Sequence, residues 1–368
     1  MTKRVKVAVI GLGVGMAHAR GYLACPGAEL VAVCDINPQR LKERGDQLGL
    51  PAERQFIQVA DLLALPELDA VSIALPNALH APVALDAFAA GKHVLSEKPL
   101  AVNAQAAQQM VDAAHAAGRH LMVCFNYRFR EDARWLKGLQ AGGKLGSVYY
   151  ARAGWLRCAG IPGAGGWFTN KGQAGGGPLI DLGVHVLDLT LWLMGYPEPV
   201  SVSGSTFAMF GPQGKKGSGA PGGSGGFEVE DLAAGFVRFA NGAALQIETS
   251  WASHTRPNRD EYFLSLYGSE GGCELDVNNY TDSETVSYFT EEAGQPVVVK
   301  PHIVTRGGHD LAVAHFIQSI ATNCPPEASG EQGLALMKII DGLYESARSG
   351  HEVSLEKLTA NSSKRKRS

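Results

Sequence analysis

The first 124 residues alternate two kinds of segment. Apolar, β-rich runs occur at Val5–Ile10, Leu30–Cys34, Ala70–Leu75, His93–Leu95 and Leu121–Cys124. Between them, Pro38–Leu48, His80–Ala90 and Ala104–Ala117 carry helical spacing. Strands fed by helices predict a parallel, doubly wound sheet, whose ligands bind beyond the carboxyl ends of the strands. From Asn126 the alternation stops. After a short amphipathic helix at Asp132–Leu139, strand-like runs dominate: Ser147–Ala153, Val200–Phe210, Phe236–Phe239, Ala244–Trp251, Phe263–Tyr267 and Cys273–Val277. Asn241-Gly242 between two of these signals a tight hairpin. The pattern predicts an open, mostly antiparallel sheet. Apolar residues fall on both faces in places (Val237 and Phe239 against Phe236), so a partner subunit is expected to cover one face. Two helices, His309–Ala321 and Gly333–Arg348, close the pattern, the second ended by Gly350.

The fold class expected is therefore α/β followed by α+β. Residues 1–125 form the first domain, 126–355 the second, and 356–368 a disordered tail. A length of 368 residues suffices for two cores. A net charge of −3, from 33 basic and 36 acidic side chains, gives no drive toward nucleic acid or anionic lipid. The six cysteines (Cys25, Cys34, Cys124, Cys158, Cys273 and Cys324) include no CxxC pair and no zinc-ligand spacing. They read as buried free thiols, and no metal site is expected. The chain runs from Met1 straight into a strand-like segment and has no run of about twenty apolar residues, so a cytoplasmic location is expected. The Gly/Ser/Pro/Lys-rich stretch 211–226 predicts a mobile hairpin tip, and Lys364-Arg365-Lys366-Arg367 a solvated end.

Three places along this pattern carry chemistry. Gly11-Leu12-Gly13-Val14-Gly15-Met16 directly follows the first strand and opens an Ala-containing helix. Such a turn lets a pyrophosphate approach backbone amides at a helix N-terminus, although the third glycine arrives one residue early. Asp35, at the end of the second strand, is placed to accept hydrogen bonds from an adenosine ribose and to repel a 2′-phosphate. This favours NAD over NADP. Arg40 on the following helix keeps NADP open.

The second place is the pair of later strand ends. One is Leu75-Pro76-Asn77, with His80 in the next helical turn; the other is Ser96-Glu97-Lys98-Pro99. For His80, packing and a cofactor contact stay equally open. The third place is Asp181-Leu182-Gly183-Val184-His185, preceded by Gly175-Gly176-Gly177-Pro178. A carboxylate and an imidazole four apart share one helix face. The glycines are expected to permit close backbone approach to a ligand. A satisfied core pair is the alternative on this segment alone.

Together these residues resemble the glucose–fructose oxidoreductase / inositol dehydrogenase / MocA family over nearly the whole chain. The match includes the Gly11–His18 turn, Pro76 to His80, the run Gly91 to Pro99, Asp181–His185, and the closing helix with Tyr344-Glu345-Ser346-Ala347. The resemblance implies an N-terminal Rossmann domain and a C-terminal α/β domain whose open sheet buries against another subunit, in homodimers or homotetramers. It implies oxidation of a secondary hydroxyl of a sugar, glycoside or cyclitol, or reduction of the matching ketone.

His185 then resembles the general acid/base, Asp181 the residue holding imidazole and substrate, and Lys98 the bridge between cofactor and substrate. Glu97, Leu75, Pro76, Asn77 and His80 resemble ribose and nicotinamide contacts. Arg128, and Trp167 in Trp167-Phe168, match substrate-lining segments. Relatives often carry Trp-Arg where this chain has Trp167-Phe168, so Arg157 is a candidate to supply the missing arginine. Two other readings stay open: a glycoside-cleaving enzyme with retained NAD and transient oxidation, and a non-catalytic dinucleotide sensor.

Overall fold

A computed structural model describes residues 4–163, 166–217, 226–255 and 260–355. The expected tail and the centre of the Gly-rich stretch lie outside the described residues. The chain divides into two compact units. One comprises the segment up to Phe129 with Gly307–Met337; the other comprises Arg130–Arg306 with the segment from Lys338. Among the described residues, no helix is long and apolar enough to cross a membrane.

The first unit holds a six-stranded sheet of β1 (Val5–Ile10), β2 (Ala28–Cys34), β3 (Gln55–Phe56), β4 (Ala70–Ile73), β5 (His93–Ser96) and β6 (Leu121–Val123). Their order is β3-β2-β1-β4-β5-β6, and every pairing is parallel. This is the doubly wound order with a switch point between β1 and β4. In β1, Val7, Ala8 and Val9 have no exposed surface. Burial on both faces is why such a strand reads as a continuous apolar run. The two-residue β3 is too short for any periodicity.

The sequence pattern assigns both C-terminal helices to the second domain; the fold returns one of them to the first unit. Helix His309–Thr322 lies so close to helix Gly15–Ala24 that a Cβ at Gly21 would sit 3.3 Å from the Asp310 Cα. Val123 then donates its N–H to the Ala328 carbonyl at 2.8 Å.

The second unit holds nine strands: β7 (Val148–Leu156), β8 (Pro199–Phe207), β9 (Leu232–Phe239), β10 (Ala244–Ser250), β11 (Glu261–Gly268), β12 (Gly272–Asn278), β13 (Val286–Glu292), β14 (Gln295–Val299) and β15 (Val353–Ser354). The order is β14-β13-β12-β11-β7-β10-β9-β8-β15, and only β7 and β10 pair in parallel. The hairpin at Asn241-Gly242 is present, with Gly242 at φ +84° and the Asn241 side chain accepting from the Ala243 N–H. Strands β13 and β14 escape the sequence pattern. β14 is the edge strand and β13 lies next to it, both with mostly exposed or partly exposed residues, and their turn places Ala293 and Gly294 at positive φ without an Asn-Gly signal. Part of the stretch expected to be mobile is ordered: the Asp231 carboxylate accepts the N–H groups of Phe210 and Gly211, ending β8 early.

Candidate functional site

In the first unit, the candidate residues gather at the carboxyl ends of β1, β2, β4 and β5. The glycine turn divides its labour. A Cβ at Gly11 would lie 2.2 Å from the Ala74 carbonyl oxygen, and one at Gly15 would lie 2.9 Å from the Val9 Cγ1. Those two glycines admit neighbouring strands. Gly13 differs, because a Cβ there would meet nothing within 4 Å. Its backbone faces open space, the cradle a pyrophosphate needs. Met16 is buried under the helix start.

Asp35 is buried, and its carboxylate accepts from the amides of Leu12 and Asn37. The Arg40 guanidinium adds two further bonds at 2.9 and 3.0 Å. Burial alone would raise this carboxyl. The Arg40 hydrogen bond, the two amides and the Arg40 charge outweigh it and hold Asp35 below its usual range.

From Val94 to Ala101, Lys98 alone is not buried. Its presentation depends on Glu97, whose Oε2 accepts the Lys98 N–H at 3.1 Å. The Glu97 Oε1 lies 2.7 Å from His18 Nε2 and 3.3 Å from His309 Nε2. Behind it, His18 Nδ1 contacts the Ser72 hydroxyl at 3.1 Å, and the Tyr22 hydroxyl contacts Ser72 at 2.7 Å. Burial pushes the Tyr22 phenol well up, so it stays protonated. Burial would raise Glu97, yet the hydrogen bonds and charges of His18 and His309 hold it well below the carboxylate range.

His18, Glu97, Cys124 and His309 bring possible ligand atoms within 4.8 Å of one another. The Cys124 thiol is pushed well up by burial and by Glu97 beside it. The cluster is accounted for as a clamp on Glu97. His80 also ties strand ends together: its ring nitrogens reach the carbonyls of Pro99 and Leu75, each at 2.8 Å. Leu75 and Pro76 are half-buried and Asn77 is buried. Arg128 has no exposed surface, and its Nη1 donates to the Glu327 carbonyl and to Gln332 Oε1.

In the second unit, Asp181 lies in a π-helical turn, Leu179–Gly183, and His185 in the α-helix Val184–Leu193 that continues it. The sequence spacing predicts one regular helix; the π turn is the difference, and such turns recur at functional sites. Asp181 and His185 are the only residues between Leu179 and Leu193 that are not buried. Trp251 donates its indole N–H to Asp181 Oδ2 at 2.9 Å. The His185 ring lies 5.8 Å from that of Trp155, whose N–H goes to Asp260.

The preceding glycines serve a different end from the one expected. At Gly176 a Cβ would lie 2.0 Å from the Tyr344 hydroxyl, and at Gly177 2.0 Å from the Glu230 carbonyl oxygen. They admit protein groups rather than a ligand. Arg157 donates its Nε to Asp260 at 2.7 Å and also meets Tyr280. Trp167 is half-buried and stacks on Phe168 at 3.8 Å.

The supporting residues His18, His309, Trp251, Glu230 and Tyr344 carry no signal of their own in the sequence pattern. His18 and Tyr344 fall inside family-like segments, and that is the one hint available.

Comparison with known proteins identifies the family. Residues 5–125 match the family model described as the oxidoreductase family, NAD-binding Rossmann fold. Residues 137–355 match its C-terminal alpha/beta domain. The chain is 33% identical to D-glucoside 3-dehydrogenase of Escherichia coli, over 95% of this chain and 97% of that one. It is 28% identical to levoglucosan dehydrogenase of Pseudarthrobacter phenanthrenivorans, over 97% and 100%. A crystal structure of levoglucosan dehydrogenase with NADH and L-sorbose superposes with a TM-score of 0.82 at 25% identity, covering 96% of this chain and 99% of that one. The chain belongs to the Gfo/Idh/MocA oxidoreductase family, and its residues 5–125 are that family's NAD-binding Rossmann domain.

Proposed function

We propose that this oxidoreductase oxidises a secondary hydroxyl of a sugar, glycoside or cyclitol, or reduces the matching ketone, with Lys98, Asp181 and His185 as its chemical groups. The observation that carries the reading is the exposure pattern of Leu179–Leu193, where an acid and an imidazole one turn apart alone escape burial. Two relatives named as dehydrogenases of a D-glucoside and of levoglucosan support a carbohydrate substrate.

NAD, when bound, supplies the hydride acceptor at nicotinamide C4. His185 takes the hydroxyl proton, a general-base task to which an imidazole is suited. Asp181, fixed by Trp251, orients the imidazole and the substrate. The Lys98 ammonium stabilises the developing alkoxide. Gly11, Gly13, Gly15 and Met16 form the pyrophosphate turn, and Asp35 holds the adenosine ribose. Leu75, Pro76, Asn77, His80 and Glu97 stand on the nicotinamide side, and Trp167 contributes to substrate binding; Arg128, expected from the resemblance to do so as well, has no exposed surface and acts instead through its bonds to Glu327 and Gln332.

The test is NADH formation from NAD with methyl glucosides, levoglucosan, myo-inositol and D-xylose. Turnover by the wild type, lost in Lys98→Ala and His185→Ala, is the expected result. Aglycone release without net NADH would point instead to transient oxidation with glycoside cleavage.

We also propose a homodimer or homotetramer through the nine-stranded sheet. One face of that sheet carries Tyr150, Phe236, Phe263 and Tyr267, with Arg152 over the Phe263 ring and Arg238 over Phe236. Light scattering giving a monomer mass would remove this proposal.

A further inference from the structure

We infer that Glu230, with Tyr344, is a positioning residue that fixes the turn carrying Asp181 and so the register of the Asp181–His185 pair. The inference rests on the reading that this pair does the chemistry. A helix start leaves its first amides without intrahelical partners, and a polar side chain just before the helix normally takes them. Here the preceding residues are Gly175, Gly176 and Gly177, which have no side chain to offer, and Pro178 has no N–H.

The cap comes instead from a residue more than fifty positions away. Glu230 Oε2 accepts the Gly177 N–H at 2.9 Å, and Oε1 accepts the Leu179 N–H at 3.2 Å. The Tyr344 hydroxyl donates to Oε1 at 2.8 Å. A carboxylate at a helix N-terminus is also favoured by the helix dipole. The space at Gly176 and Gly177 is taken by Tyr344 and Glu230, so a side chain at either glycine would expel the cap.

The hold reaches Asp181 by two routes. Gly177, held at its N–H by Glu230, accepts the Asp181 N–H on its carbonyl at 3.0 Å. From the other side, the Asp231 carbonyl accepts the Trp251 N–H at 3.0 Å, and the Trp251 indole binds the Asp181 carboxylate. The adjacent residues Glu230 and Asp231, just before β9, therefore hold both the backbone and the side chain of Asp181. Gly177, Asp181, Trp251, Asp231 and Glu230 close a loop. The π turn, an irregular piece of helix, sits inside it.

Glu230 is buried, and burial raises its carboxyl despite the amides of Gly177 and Leu179 and the Tyr344 hydroxyl. An amide in its place would set a donor against the Gly177 or Leu179 N–H.

The test compares Glu230→Gln and Tyr344→Phe with wild type. Histidine ring resonances are followed by NMR against pH, with His185 assigned by His185→Gln. Glu230→Gln is expected to displace the His185 resonance and its titration midpoint while the other histidines stay in place. Tyr344→Phe should displace His185 in the same direction by less. An unmoved His185 in Glu230→Gln overturns the inference, and should that variant fail to fold, an unmoved His185 in Tyr344→Phe overturns it equally.

On the glucoside assay, kcat of Glu230→Gln should fall about tenfold or more with the KM for NAD unchanged, as for loss of one charge-assisted hydrogen bond to the site. Unchanged kcat in the folded variant also contradicts it. Full turnover by His185→Ala would instead remove the functional reading, leaving the NMR arm to decide the clamp.

Discussion

Two buried glutamates, Glu97 and Glu230, stand beside the two halves of the proposed chemistry, and the fold treats them in opposite ways. Both are nearly inaccessible, at 5% and 7% exposure. Glu97 faces two imidazoles and its neighbour's amide, so its carboxyl is held well below the usual range. Glu230 faces backbone amides and a phenol, none of which is cationic, and burial prevails to raise it. Burial alone does not decide the charge cost of a site; the availability of a cationic partner does. The lysine-presenting strand end therefore rests on a stabilised carboxylate, whereas the Asp181 turn rests on a costly one. A costly group retained at a helix cap fits a positioning role better than a stabilising one.

The largest expected effect sets both glutamates below the groups they serve. His185→Ala or Lys98→Ala should lower kcat by about a hundredfold to ten-thousandfold. Steady-state rates showing a smaller loss than in Glu230→Gln would invert the comparison.

Next in size is His18→Ala, which strips the closer imidazole from a buried carboxylate and should cost about 3 kcal/mol in denaturant unfolding. A loss no larger than that of an exposed-residue control would mean that His309 alone holds Glu97.

The comparison itself is tested by pH. Glu97 has a lowered carboxyl, so its contribution is complete above about 4.5, the unfolded value, and is lost as pH falls further. The stability difference between wild type and Glu97→Gln should shrink on acidification. Glu230 has a raised carboxyl, so its contribution is complete below about 4.5 and declines as pH rises through the folded value. The difference between wild type and Glu230→Gln should therefore shrink as pH rises. Thermal midpoints across the acid range should show slopes of opposite sign, and parallel slopes would break the contrast.

The smallest effect is expected at Arg40, whose side chain is 45% exposed. Arg40→Ala should cost under about 1 kcal/mol. It should leave NAD preferred over NADP in the ratio of kcat/KM, because Asp35 remains.

The sequence pattern made most of this legible where a local rule operates. The strands β1, β4 and β6 read as apolar runs because they are buried nearly throughout, β2 and β5 over most of their length, and the glycine turn and Asp35 mark two of their ends. The spacing of Asp181 and His185 marks them as candidates, with a core pair as the alternative until the family resemblance is added. What the pattern lacks is long-range: Glu230 caps a helix more than fifty residues earlier, and helix His309–Thr322 packs against the N-terminal unit from the far end of the chain. Short or partly exposed strands such as β3, β13 and β14 carry too little apolar periodicity to register. The three glycines before Pro178 illustrate the limit well. Their need for close approach is readable, but what approaches them is protein, which only the fold reveals.

The most direct measurement is NADH formation by wild type, Lys98→Ala and His185→Ala with NAD and the carbohydrate panel, each variant first shown to be folded. The account predicts turnover of at least one glycoside, sugar or cyclitol by the wild type and its near-complete loss in both variants. A wild type inert toward every member of the panel, or variants as active as the wild type, would contradict it.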